Sequence, residues 1–181
     1  MATQETYQCK NCDFEYTEEG TLFYYDSEKH TTETFLHLFS TVGLADDSEI
    51  KGYTHETYCN HCNKFVRTYY VTEYPGDDFH TIKDLILNGI ERSLLCARKE
   101  LCDMTEEEDP DDLDYYHEKY QRAKSLINRV VDAREEVNSN DDSYIIMCPN
   151  CLTEIQEYIN EYFPCPKCGG EMISTQVIHM D

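Results

Sequence analysis

Apolar and polar residues alternate in short runs toward both ends of the chain and switch to steps of three and four in the middle. Leu87, Ile90, Leu94, Ala97, Leu101 and Met104 keep that spacing and predict a helix over 79–104. Leu113, Tyr116, Tyr120, Ala123, Ile127 and Val130 repeat it, Val137 extends the row, and a second helix is expected over 111–138. Each row is a coiled-coil-like seam. Between them "TEEEDPDD" leaves room only for a sharp reversal. Asp109 is placed to cap, Pro110 suits the first helical position, and Asp111 and Asp112 suit the positive end of the helix dipole. The expectation is an antiparallel helical hairpin, each arm of about 25 residues being roughly 38 Å long.

The flanking text reads as strands. "DFEYTEEGTLFYYD" suggests two short strands around a turn at Glu18-Glu19-Gly20, and "KGYTHETYC" and "KFVRTYYVTEY" suggest two more. Pro75-Gly76-Asp77-Asp78 ends that segment. "YIIMC", "LTEIQEYI" and "EMISTQVIHM" alternate again after the linker "NSNDDS", Asn138 to Ser143. The stretch from about Thr21 to Lys51 is the hardest to read, "TETFLHLFSTVGLADDSEI" suggesting a short amphipathic helix and then a loop. The division that follows is 1–76, 77–138 and 139–181. The expected class is α+β, two small β modules flanking the hairpin.

Composition narrows the chemistry. With 15 Lys+Arg against 37 Asp+Glu, the formal charge of −22 repels nucleic-acid phosphates at long range. The acidity is spread, each of the segments 1–74, 75–104, 105–143 and 144–181 being net negative. Direct DNA binding is therefore not expected. Lys119, Arg122, Lys124, Arg129 and Arg134 form a local basic stretch that an RNA or an acidic partner would favour. No apolar run approaches the ~18 residues of a membrane span. "MATQETYQCK" lacks a basic region followed by an apolar one, so no signal peptide and a cytoplasmic location are expected.

Eight of the ten cysteines fall in Cys-x-x-Cys pairs: Cys9/Cys12, Cys59/Cys62, Cys148/Cys151 and Cys165/Cys168. In a reducing compartment this spacing points to metal, because one such turn aims two sulfurs at one ion and a second completes a tetrahedron. A sharp turn after the second cysteine favours Gly, Asn or Asp. Gly169, Asn63 and Asp13 conform, while Leu152 breaks the pattern. Only 13 residues separate the last two pairs, and 46 separate the first two. The simplest arrangement closes each quartet on itself, giving two Zn2+ sites. Cross-pairing of Cys9/Cys12 with a pair from the C-terminal half is the alternative. Iron in the manner of rubredoxin, with electron-transfer or metal-handling chemistry, also remains open.

At its knuckles "CPNC…CPKCGG" resembles the zinc-ribbon superfamily, over about the last 35 residues. That resemblance implies two knuckles on a small three-stranded sheet around a structural ion. The spread N-terminal knuckles, with their long insertion, resemble the uncharacterised CpXC-type proteins. His55 and His179 are candidate substitute ligands, and His61 sits inside "CNHC". Cys96 and Cys102, off the helical seam, are read as small apolar residues. There is no phosphate loop, nucleophile elbow or HExxH motif. The functional expectation is a non-enzymatic zinc-binding adaptor or accessory subunit that docks to a larger protein complex. A transcription or translation accessory factor acting through protein is the alternative.

Overall fold

A computed structural model of the chain describes residues 2–20, 22–26, 31–35, 50–103, 110–136, 146–155, 164–165 and 167–180. Its strands are β1 (Ala2–Cys9), β2 (Glu15–Gly20), β3 (Leu22–Asp26), β4 (Thr31–Phe35), β5 (Ile50–Cys59), β6 (Lys64–Glu73), β7 (Ile127–Asp132), β8 (Ile146–Met147), β9 (Glu154–Ile155) and β10 (Met172–Met180). Its helices are α1 (Phe79–Asp103), α2 (Pro110–Ser125) and the single turn α3 (Ala133–Glu136). The α+β class holds.

Three sheets form. The first has the order β10-β1-β2 and is antiparallel, so the two ends of the chain pair, from Ala2 opposite Met180 to Cys9 opposite Met172. The second has the order β4-β3-β5-β6-β7 and is antiparallel except for β6 and β7, which run parallel. The third is the β8-β9 hairpin. Glu18-Glu19-Gly20 is part of β2 rather than a turn, and β2 and β3 belong to different sheets. The 21–51 segment supplies β3 and β4, so Thr32 to Phe35 are strand instead of helix, and 36–49 lie outside the described residues.

The first half of α1 covers one face of the five-stranded sheet. Ile82 and Ile86 pack on Phe23, Tyr25, Ile50, Tyr69, Val71 and Val130, all buried. Asp78 caps the helix through the Thr81 N–H and hydroxyl, and its carboxyl is held below the usual range by those bonds. Beyond Ile90 the predicted seam is half-buried at best: Leu94, Ala97 and Leu101 are intermediate and Leu95 is 59% exposed. Cys96 and Cys102 are exposed, not buried packing residues. Met104 and Asp109 lie outside the described residues.

The second helix stops at Ser125, well short of 138, and Ile127 to Asp132 become the edge strand β7. The hairpin of two long arms is not shown; the chain has one main helix, with the shorter α2 touching it. The physical reason lies in "INRVVD". A helix would bury one row of these β-branched residues, whereas a strand beside β6 buries both faces. Val130 joins the cluster under α1, Val131 packs on Tyr70 and Ala133 on the opposite face, and Ile127 packs beside Val66. Asp132 ends the strand: it accepts the Tyr74 hydroxyl and the Arg134 N–H, while the Arg134 guanidinium lies 3.3 Å over the Tyr74 ring. Arg129 is thus on a strand and Arg134 on α3, so the basic stretch read as one helix face is divided. Val137 and the linker 138–143 lie outside the described residues.

Tyr16 helps tie the first sheet to the second. The Tyr16 ring of β2 stacks on Phe65 of β6, centroids 4.1 Å apart and planes 9° apart. The Tyr16 hydroxyl donates to Glu56, whose other oxygen takes the Arg67 guanidinium through Nε at 2.7 Å and through Nη2. The Glu56 side chain is 1% exposed and that of Arg67 18%.

Candidate metal centres

Each Cys-x-x-Cys pair sits where the chain reverses. Cys9/Cys12 lie between β1 and β2, Cys59/Cys62 between β5 and β6, and Cys148/Cys151 between β8 and β9. Cys165/Cys168 lie in the turn closed by the Pro164–Glu171 bridge, ahead of β10. The backbone rebuilds one kind of turn at three of the four. The N–H after the second cysteine reaches the carbonyl of the first in Asn63 to Cys59 (2.9 Å), Leu152 to Cys148 (2.9 Å) and Gly169 to Cys165 (2.7 Å). All three donors are left-handed, with φ of 58°, 56° and 71°. Asp13 does not take that conformation.

Leu152 therefore keeps the turn that its side chain opposes. A left-handed backbone costs a non-glycine residue roughly 1–2 kcal/mol, less for Asn. Leu152→Asn is expected to raise stability by about 0.5–1 kcal/mol in denaturant melts of the metal-loaded protein.

The pairing is where the structure departs from the simplest expectation. Eight of the described cysteines form two groups, Cys9, Cys12, Cys165 and Cys168, and Cys59, Cys62, Cys148 and Cys151, and within each group all sulfurs lie within 4.8 Å of one another. Neither terminal quartet closes on itself. The cause is strand pairing: β1 and β10 bring the first and last tips together, and the β5-β6 tip meets the β8-β9 tip. The outer group joins the chain ends and the inner group lies within it, one ribbon-like unit interrupting another. His55, on β5, joins neither group, His61 is exposed, and His179 lies on β10 opposite Thr3.

Four sulfurs at about 2.3 Å from one ion are roughly 3.8 Å apart. The closest cross-tip separations are 3.5 Å for Cys9–Cys168, 3.6 Å for Cys12–Cys165, 3.7 Å for Cys59–Cys151 and 3.6 Å for Cys62–Cys148. Disulfide sulfurs are bonded at about 2.05 Å, and all eight cysteines are free. Each set thus has the donor chemistry and spacing of a metal site. The closing tips also fit one another. A side chain at Gly170 would meet the Asn11 side chain at 2.7 Å, so glycine here lets the two tips approach without displacing Asn11. Lys10 pairs with Glu171 at 2.7 Å and Lys167 pairs with Asp13, exposed contacts that orient the outer tips more than they stabilise them.

Sequence reasoning missed the groups that serve the sulfurs. The Asn11 N–H reaches Cys9 Sγ at 3.3 Å and the Cys62 N–H reaches Cys59 Sγ at 3.4 Å. Asn150 Nδ2 donates to Cys62 Sγ at 3.3 Å, and the Thr153 hydroxyl lies 2.8 Å from Cys151 Sγ. Such bonds favour thiolate over thiol. The signal was there in "CPNCLT", an amide and a hydroxyl beside the cysteines.

Without a cation, four sulfurs this close cannot all ionise. In the inner group the Thr153 hydroxyl pulls the Cys151 thiol down to about 5, while burial pushes Cys148 up to about 12. In the outer group burial raises Cys9, but the Asn11 N–H and the neighbouring sulfurs outweigh it and leave it at about 7. Cys12 gains from the Phe14 N–H, yet burial and the neighbouring sulfurs push it to about 12. At pH 7, chelated protein treated with iodoacetamide should be labelled at Cys151 before Cys148, read by peptide mass mapping. The depressed Cys151 stabilises the metal-free fold fully above pH 9, and that contribution is lost as pH falls toward about 5.

No helix among the described residues is long and apolar enough to cross a membrane. No protein-family model matches the chain, and no curated protein or solved structure is significantly similar to it.

Proposed function

We propose that this chain is a zinc-stabilised docking module of the cytoplasm, a non-enzymatic adaptor or accessory subunit of a larger protein complex. The observation that supports it is the closure of both groups. Four cysteines converge in each, so a tetrahedral ion would have every position filled by sulfur and none left for substrate. Such ions do structural work, and in small β units their binding free energy is folding free energy. Here they would lock the ends of the chain together and fasten the short β8-β9 hairpin to the β5-β6 tip. Free thiols suit a reducing cytoplasm. α1 and the α2 that touches it, with Leu95 and Tyr116 exposed, offer a partner-facing surface. The charge of −22 suits a basic protein partner better than a nucleic acid.

The test is elemental analysis and a visible spectrum of protein purified from its native host without added metal, followed by native pull-down. Two zinc ions per chain, no colour and a stoichiometric protein partner are the expected results. Iron with a visible charge-transfer band would replace the structural reading with electron transfer at one group or both.

A further inference from the structure

Leu152 combines two unfavourable features. It is 71% exposed, and its backbone is left-handed at φ 56°. Asn63 and Gly169 occupy the same place in the sister turns, so the chain itself shows the cheaper choices. An exposed leucine alone carries no message, but one held at a strained position points to a use for the side chain. Exposed apolar surface continues at Met147, 40% exposed and directly opposite Glu154 in the β8-β9 hairpin. Next to Leu152 a groove of about 310 Å³ runs between the two inner tips, lined by Tyr58, Asn60, His61, Thr153, Glu154 and Ile155. Among the described residues that line it there is no lysine or arginine. Glu154 adds a negative charge, and four thiolates around a divalent ion would leave about −2 beside it.

We infer that Leu152 and Met147, beside this mostly polar groove, take an apolar side chain of a partner protein whose neighbouring lysine or arginine residues enter the groove. The apolar surface takes the side chain, and Glu154 and the thiolate cluster draw the cations. A second copy of this chain, also at −22, is the wrong electrostatic partner. The inference rests on the docking reading above and gives it a surface and a partner chemistry.

The probe is a random 12-residue phage-displayed peptide library, panned on the metal-loaded protein. Enriched sequences, synthesised, are then titrated against the wild type, Leu152→Asn and Glu154→Gln. Apolar residues flanked by Lys or Arg should dominate the enriched set. Leu152→Asn should weaken them about tenfold without loss of metal or melting temperature, and Glu154→Gln or added salt should weaken them about threefold. Peptides that bind wild type and Leu152→Asn alike, or that are acidic, would overturn the groove while leaving docking through another surface intact. An unenriched library would also overturn it, and the pull-down on native protein decides separately whether the chain docks at all.

Discussion

Replacing Cys12 and Cys168 together by serine is expected to leave one tightly held metal ion per chain, and replacing Cys12 and Cys62 together to leave none. The first pair removes two ligands from the outer group and spares the inner one; the second takes one ligand from each. If each terminal quartet closed on itself the outcomes would be reversed, so stoichiometry alone decides the topology. The measurement is metal content after dialysis against a competing chelator, which strips weak three-cysteine remnants. Structural zinc in small peptides is worth about 10–16 kcal/mol of apparent binding free energy, so losing an ion should be visible as local unfolding. Loss of the outer ion should free β10 and β1 from each other. The α1-covered sheet, whose core lies elsewhere, should persist in far-UV circular dichroism. Two ions retained after both double replacements would mean that the sulfurs do not bind as grouped.

That the cysteines bind something could be read from the sequence because the signal is local. Two sulfurs three residues apart need only a turn, and Asn63 and Gly169 advertise it. Which tip meets which could not be read that way, since the answer depends on strands more than 150 residues apart, β1 and β10. The spacing of 13 residues between the last two pairs suggested a self-contained ribbon, yet β8-β9 and β10 carry those tips into different groups. The second helix failed for a related reason. Ile127 and Val130 fit a helical seam, but three and four residues of spacing say nothing of whether a neighbouring strand edge is free. The β-branched run of "INRVVD" was the better guide, and β6 supplied the edge. α1 was legible almost to the residue in its bounds, 79–104 expected against Phe79–Asp103, but not in its buried face: Ile82 and Ile86, which pack on the sheet, lie outside the row read as the seam, and the Asp78 cap was not singled out.

The other large effect is expected at Glu56, which no sequence pattern singled out. Glu56→Ala should destabilise the protein by about 3–5 kcal/mol, measured by denaturant unfolding of the metal-loaded form. The magnitude follows from what remains behind. Arg67 loses the carboxylate that offsets its burial, and burial acts to lower its pKa while Glu56 raises it. Tyr16 loses the acceptor for a hydroxyl that joins the outer sheet to β5. A largely buried guanidinium deprived of its carboxylate is the larger loss, so Tyr16→Phe should cost only about 1–2 kcal/mol. The conservative replacement Glu56→Gln should fall between, keeping an acceptor for both partners but no charge. Replacing both members, Glu56→Leu with Arg67→Met, should recover most of the stability, because well-packed apolar residues often match a buried ion pair. A double variant as unstable as Glu56→Ala would show that the pair itself contributes, with Tyr16 and the stacked Phe65 acting through it to hold the outer metal group against the main sheet.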